Sequence, residues 1–156
     1  CFIKIFKKMK NINYTTGDLI SPWADVKMDV HDIPFEENSF DVVICNHVLE
    51  HVEDAHKVMT EFYRVMKKGG WGIFQVPIDR KNSKTEEDPT ITDPNERERL
   101  YWQKDHLRLF GLDYGKRLEA AGFKVTEDDF IHQLDDRLVE RYALPKGEIL
   151  YYCQKV

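Results

Sequence analysis

The sequence predicts a single α/β domain, a mostly parallel sheet with helices on both faces, and three observations carry that expectation. Strand and helix patterns alternate along the chain. The clearest strand, Phe40-Asp41-Val42-Val43-Ile44-Cys45, holds an apolar run of the kind that a parallel sheet buries on both faces. The strongest helix follows it, with Ala55, Val58, Met59, Phe62, Val65 and Met66 on one stripe. At 156 residues, 42% hydrophobic and 33% charged, the chain is one globular domain's worth, long enough for a core.

The elements follow in order. Phe2, Ile5, Phe6 and Met9 give one apolar face to a helix over residues 2–10, with Lys4, Lys7, Lys8 and Lys10 on its solvated side. Tyr14-Thr15-Thr16 reads as a short strand ending at Gly17-Asp18, and Val26-Lys27-Met28-Asp29 as another. Pro34 marks a loop and Glu36-Glu37-Asn38-Ser39 a turn before the strand at 40–45. The main helix is expected from about Glu53, with Glu53 and Asp54 at its positive start and Lys67 and Lys68 at its negative end. Gly69-Gly70 stops it, and Trp71–Val76 is the next strand, closed by Pro77. Residues 78–99 are polar and hold Pro89 and Pro94, which predicts a long mobile loop; residues 78–108 form a lid or substrate-side insertion. A helix with Leu112, Leu118 and Ala121 ends at Gly122; Phe123–Val125 is a strand, 134–144 a short helix, and Ile149–Cys153 a final strand.

The net charge of −5 gives no support for a nucleic-acid partner. No apolar run approaches the ~20 residues of a membrane span, and no signal-peptide pattern occurs. Cys1, Cys45 and Cys153 are odd in number and lack CxxC spacing, so no disulfide framework or thiolate metal site is expected, and a reducing, cytoplasmic setting fits.

In an open α/β sheet, ligands bind beyond the carboxyl ends of the strands. Asp18 follows the first strand, Asp29 closes the second, and Asn46 and His47 follow the third. A carboxylate at a strand end is suited to accept the hydroxyls of a ribose. Either aspartate alone is more readily a turn former; the pair, ending neighbouring strands, reverses that preference and points to a nucleotide-like ligand.

Four linked blocks then carry a resemblance. Asp29-Val30-His31-Asp32-Ile33-Pro34-Phe35, Asn38-Ser39-Phe40-Asp41-Val42-Val43, His47-Val48-Leu49-Glu50-His51 and Arg64-Val65-Met66-Lys67-Lys68-Gly69-Gly70 resemble the class I S-adenosylmethionine-dependent methyltransferases. The similarity is to the branch that includes quinone-biosynthesis and other small-molecule enzymes. It is close over 11–77 and looser to the end. It implies a Rossmann-like fold, S-adenosylmethionine as cofactor, and methyl transfer to a small-molecule acceptor that the sequence does not identify. It implies a cofactor-binding set of Asp18, Leu19, Asp29, Val30, Asn46 and His47. Within it, Asp18 meets the ribose, Asp29 and Val30 the adenine, and Asn46 and His47 the methionine end. Asp41 takes a structural place, and His106 and Arg108, in Asp105-His106-Leu107-Arg108, fall near the substrate side. No metal is expected. The catalytic base stays open among His47, His51 and His106, whose imidazoles titrate near neutrality.

The resemblance also implies a first strand and a Gly-rich loop before Cys1, and no GxGxG occurs in the chain. That strand would sit between those at 14–16 and 40–45. Without it the chain is expected to bind the cofactor weakly or not at all, unless an upstream segment, another strand or a second subunit fills the slot. Three other readings stay open. One is a truncated, non-enzymatic Rossmann-like fragment. Another is a zinc hydrolase, since His47, Glu50 and His51 spell HxxEH, with both histidines on one helix face and Glu50 as base. The last is a nicotinamide dehydrogenase, which lacks its fingerprint loop.

Overall fold

The computed structural model describes residues 2–156, with only the backbone of Phe2; Cys1 and the Phe2 side chain, and what the sequence suggested for them, lie outside. The chain divides into a smaller unit that ends at Pro34 and a larger one, Phe35–Val156.

The smaller unit opens with α1, Phe2–Phe6, shorter than the periodicity predicts, because Ile5 and Met9 are exposed and give it little to pack on. Phe6 meets Tyr14 at 5.3 Å between ring centroids. The strands β1, Gly17–Asp18, and β2, Val26–Lys27, pair in parallel, Gly17 opposite Val26 and Asp18 opposite Lys27. The first strand therefore lies at the Gly-Asp step and not at Tyr14–Thr16. Asp25 explains the shift. Its carboxylate accepts from the Thr16 backbone N–H (3.0 Å) and hydroxyl (2.7 Å), while Thr16 Oγ1 accepts from the Asp25 N–H (3.0 Å). Lys7 Nζ adds an ion pair at 2.8 Å.

Hydrogen bonds from Lys7 and then Thr16 pull the Asp25 carboxyl down to about 2. A carboxyl depressed in the folded state contributes above its ordinary range, and its contribution is lost as pH falls through the folded value. The Asp25 carboxyl resonance is therefore expected to titrate by NMR near 2; a midpoint at the ordinary 3.8 would contradict the clasp.

The larger unit is built on a four-stranded sheet in the order β3-β4-β8-β7. The strand β3 is Phe40–Asn46, β4 is Met66–Gln75, β7 is Lys124–Asp128 and β8 is Leu150–Gln154. The pair β3/β4 is parallel, with Val42 opposite Trp71 and Asn46 opposite Gln75. The pairs β4/β8 and β7/β8 are antiparallel. Among the described strands, parallel pairing occurs in β1/β2 and β3/β4, and Ile78 and Phe110 add an isolated parallel bridge. The strand β3 is not buried on both faces as its composition predicts: Val42 is 37% and Ile44 49% exposed. The reason is position, since β3 lies at the sheet's edge with no strand on its outer side among the described residues.

The helix α2, Ala55–Val65, buries Ala55, Val58, Met59, Phe62 and Val65 as predicted. Asp54 caps it, accepting from the Lys57 N–H at 2.9 Å, which satisfies one orphan donor of the first turn. It ends before the basic pair. Met66 is already extended, and Lys67 binds both carboxylate oxygens of Asp41 at 2.9 Å. The helix α4, Tyr114–Ala120, is followed by Gly122 at φ +106°, a conformation that glycine alone adopts cheaply. Phe74 centres the core, stacked on Phe62 at 5.0 Å and tilted on Phe123 at 5.3 Å. Tyr114 joins it, its hydroxyl donating to the Phe74 carbonyl at 3.2 Å.

The segment 78–99 is not a bare loop. The strand β5, Glu86–Glu87, pairs antiparallel with β6, Arg108–Leu109. The helix α3, Pro94–Tyr101, is capped by Asp93, which accepts from the Asn95 and Glu96 N–H groups. Polar anchors replace the apolar ones the composition lacks: Thr85 donates twice to Asp113, and Tyr101 accepts from the Asp88 N–H. A 3-10 turn at Phe130–Gln133 and α5, Asp136–Arg141, complete the chain. Among the described residues no helix is long and apolar enough to cross a membrane.

Candidate functional site

The smaller unit places Asp18 and Asp29 at one end of a parallel pair, Asp18 closing β1 and Asp29 two residues past β2. Asp18 folds its own loop: Oδ1 accepts from the Ser21 N–H (2.7 Å) and the Ile20 N–H (2.9 Å). These two bonds, Ser21's first, hold its carboxyl below the ordinary carboxylate range. Oδ2 accepts nothing from the described residues, and the side chain is exposed, as is Leu19. Asp18 is therefore a fixed anion with one oxygen to offer. Asp29 Oδ1 meets the His31 N–H at 2.9 Å and His31 Nδ1 at 2.7 Å.

In the larger unit, Asn46 ends β3 and His47 follows at φ +57°, its N–H bonded to the Gln75 carbonyl at 2.8 Å. That turn leaves the His47 imidazole exposed at the carboxyl ends of the parallel strands β3 and β4. A cleft of about 350 Å³ opens there, lined by His47, Val76, Pro77, Arg80, Glu148 and Tyr151 among others. Gln75 holds its far wall, donating to Glu148 Oε1 (3.0 Å) and the Ile149 carbonyl (2.9 Å) and accepting from the Tyr151 N–H (2.9 Å). Nothing in the sequence marked this glutamine. Burial first, and then the Glu50 carboxylate, push the Cys45 thiol up to about 12, so it is no nucleophile at neutral pH.

Residues 47–54 form turns and bends rather than helix. The two histidines of HxxEH therefore do not share a helix face, and the zinc-hydrolase reading loses its geometry. Glu50 is instead buried at 1% exposure, with Oε1 at 3.2 Å from His47 Nδ1. His106 is equally buried, its Nδ1 at 2.7 Å from the Tyr101 carbonyl, and its ring packs edge-on to His51 at 4.7 Å. Arg108 is not free to meet a substrate. It is 4% exposed and spends its guanidinium on the carbonyls of Leu49 (2.7 Å), Val52 (2.5 Å) and Glu53 (2.9 Å) and on Glu87 Oε2 (2.9 Å). It clamps the loop that carries Glu50 and His51. The resemblance placed His106 and Arg108 near the substrate side and gave no sign of this role.

A family model described as a methyltransferase domain matches residues 5–74. Those residues are similar to that domain. Within the matched segment lie Asp18, Leu19, Asp29, Val30, Asn46, His47, Glu50 and His51. The ubiquinone/menaquinone biosynthesis C-methyltransferase of Desulfotalea psychrophila is 43% identical over 42 residues, which are 27% of this chain and 17% of that protein. Among solved structures, the 1,6-didemethyltoxoflavin-N1-methyltransferase of Burkholderia thailandensis, bound to 1,6-didemethyltoxoflavin and S-adenosylhomocysteine, aligns over 90% of this chain and 60% of its own. The TM-score is 0.55 at 13% identity. The [4+2]-cyclase SpnF aligns over 83% of this chain and 57% of its own, with a TM-score of 0.54 at 17% identity. The fold is accordingly the Rossmann-like α/β fold of methyltransferases, and this chain spans less than two thirds of the length of these relatives.

Proposed function

We propose that this chain is part of an enzyme that transfers a methyl group from S-adenosylmethionine to a small-molecule acceptor. The observation that supports the reading best is the polar groups at the carboxyl ends of three parallel strands, all within the matched segment: Asp18 and Asp29 after β1 and β2, Asn46 and His47 after β3. Asp18 fits the role of ribose acceptor, because its loop amides fix the carboxylate as an anion and leave Oδ2 open. Asp29, with Leu19 and Val30, is assigned to the adenine end, and Asn46 and His47 to the methionine end. When bound, the cofactor's sulfonium supplies an electrophilic methyl group. The protein's part is then alignment of donor and acceptor within ~3–3.5 Å. The cleft beside His47 offers room for an acceptor of modest size, with the 78–108 segment as the substrate-side element. A proton leaving the acceptor is assigned to His47, whose imidazole is exposed there, ahead of His51 and His106.

Asp18→Ala is expected to weaken S-adenosylhomocysteine binding by ~1.5–3 kcal/mol, the value of a hydrogen bond to a charged group. Calorimetry on the protein in its natural full length reads this as a loss of ~10–150-fold. Unchanged affinity would remove Asp18 from the site. Incorporation of a labelled methyl group from the cofactor into an acceptor separates methyl transfer from the chemistry of a cyclase on the same fold.

A further inference from the structure

Glu50 and His106 are each 1% exposed, and Glu50 Oε2 and His106 Nε2 are buried without a hydrogen-bond partner among the described residues. A buried, unpaired carboxylate oxygen is costly, and native proteins leave few such groups without a reason. These two are neighbours. One ligand-capable atom from each of Glu50, His51 and His106 lies within 4.8 Å of the others.

The outer contacts settle what these side chains offer inward. His106 Nδ1 sits 2.7 Å from the Tyr101 carbonyl, which only accepts, so Nδ1 carries the proton and Nε2 is a lone pair. His51 Nδ1 lies 3.2 Å from the Asp105 carboxylate, so the neutral imidazole keeps its proton on Nδ1 and has its lone pair on Nε2. Glu50 Oε1 takes the His47 imidazole, leaving Oε2. With both imidazoles neutral, the cluster offers two imidazole lone pairs and a carboxylate oxygen, acceptors without a donor. Three acceptors facing one another repel unless a cation, a shared proton or a donating water lies between them. Backbone–carbonyl and carboxylate partners on the far nitrogen are also how metal-bound histidines are oriented.

The main chain holds the cluster together. Leu107 N–H donates to the Glu50 carbonyl at 2.8 Å, which brings His106 against Glu50, and the Arg108 clamp fixes the carbonyls on either side. We propose that Glu50, His51 and His106 bind a divalent first-row transition ion, zinc foremost. Two imidazoles and a carboxylate suit zinc, and three protein ligands leave a position open for water or another ligand. The ligands are not the HxxEH pair that the sequence spells: His47 supports Glu50 from outside, and His106, more than fifty residues downstream, completes the set. The site stands independently of the methyl-transfer reading and is read without the cofactor.

The test is calorimetric titration of chelator-treated protein with zinc alone, and with cobalt alone followed by its visible absorption. One equivalent is expected to bind with a dissociation constant of ~1 μM or below and to raise the melting temperature. His51→Ala is expected to abolish tight binding. Asp105→Ala changes an exposed residue that is no ligand, so folding is retained, and it should weaken binding by ~10–100-fold. Binding no tighter than ~1 mM would overturn the site and leave a water or a shared proton between Glu50 and His106. Tight binding that both variants leave unchanged would place the metal elsewhere and overturn it equally.

Discussion

Replacing Arg108 by methionine is expected to destabilise the protein by about 3–5 kcal/mol, the range for removing one partner of a buried charged network. The side chain is 4% exposed, and its loss strands the carbonyls of Leu49 and Val52 beneath the surface and releases the part-buried Glu53 carbonyl. It also removes one of two cationic partners of Glu87, the other being Arg117 at 2.9 Å. Burial pushes the Glu87 carboxyl up, but hydrogen bonds from Arg108 and Arg117 outweigh it and hold the group below its ordinary value. This contribution is therefore present above the ordinary glutamate range and is lost on acidification. Urea unfolding at neutral pH should show a lower midpoint with an unchanged slope. Arg108→Lys should recover only part of the loss, since one ammonium on a flexible stem cannot span carbonyls that a planar fork reaches together. A loss below ~1 kcal/mol in the methionine variant would mean that the loop holds without its clamp.

Phe74→Ala is expected to cost about 3–5 kcal/mol, the usual range for emptying an aromatic site in a core. Phe74 is fully buried between Phe62 of α2 and Phe123, just before β7, so its ring joins the main helix, the sheet and the segment after α4. Phe74→Leu keeps much of the volume and should cost less than half as much. Thermal unfolding of both variants beside the parent checks the order; equal melting temperatures for alanine and parent would show that this core collapses to fill the space.

Elements whose register is set locally were legible in the sequence. The stripe of α2 named its buried residues, and Gly122 marked the end of α4, because a 3.6-residue period and a left-handed glycine are local signals. Burial that depends on neighbours was not legible. Val42 and Ile44 read as two-sided core, yet their exposure is decided by β3's place at the sheet edge. The helix at Pro94–Tyr101 was missed although Asp93-Pro94 is a start signal, because the polar composition of 78–99 outweighed it. Within the candidate site, the aspartates and Asn46-His47 could be named from strand ends alone. The meeting of Glu50 with His106 could not, since it depends on a backbone bond from Leu107 to Glu50 across the fold.

On the role proposed for His47, its conformation sets thermostability and chemistry against each other. A histidine at φ +57° occupies a region where most side chains are disfavoured by ~1–2 kcal/mol and asparagine or glycine is more at ease. Directed evolution that rewards melting temperature alone would tend to replace it, while selection for turnover would, on the proposed role, keep the imidazole at the mouth of the cleft. The codon at this one position is thus a place where the two pressures can be told apart by the residue each enriches.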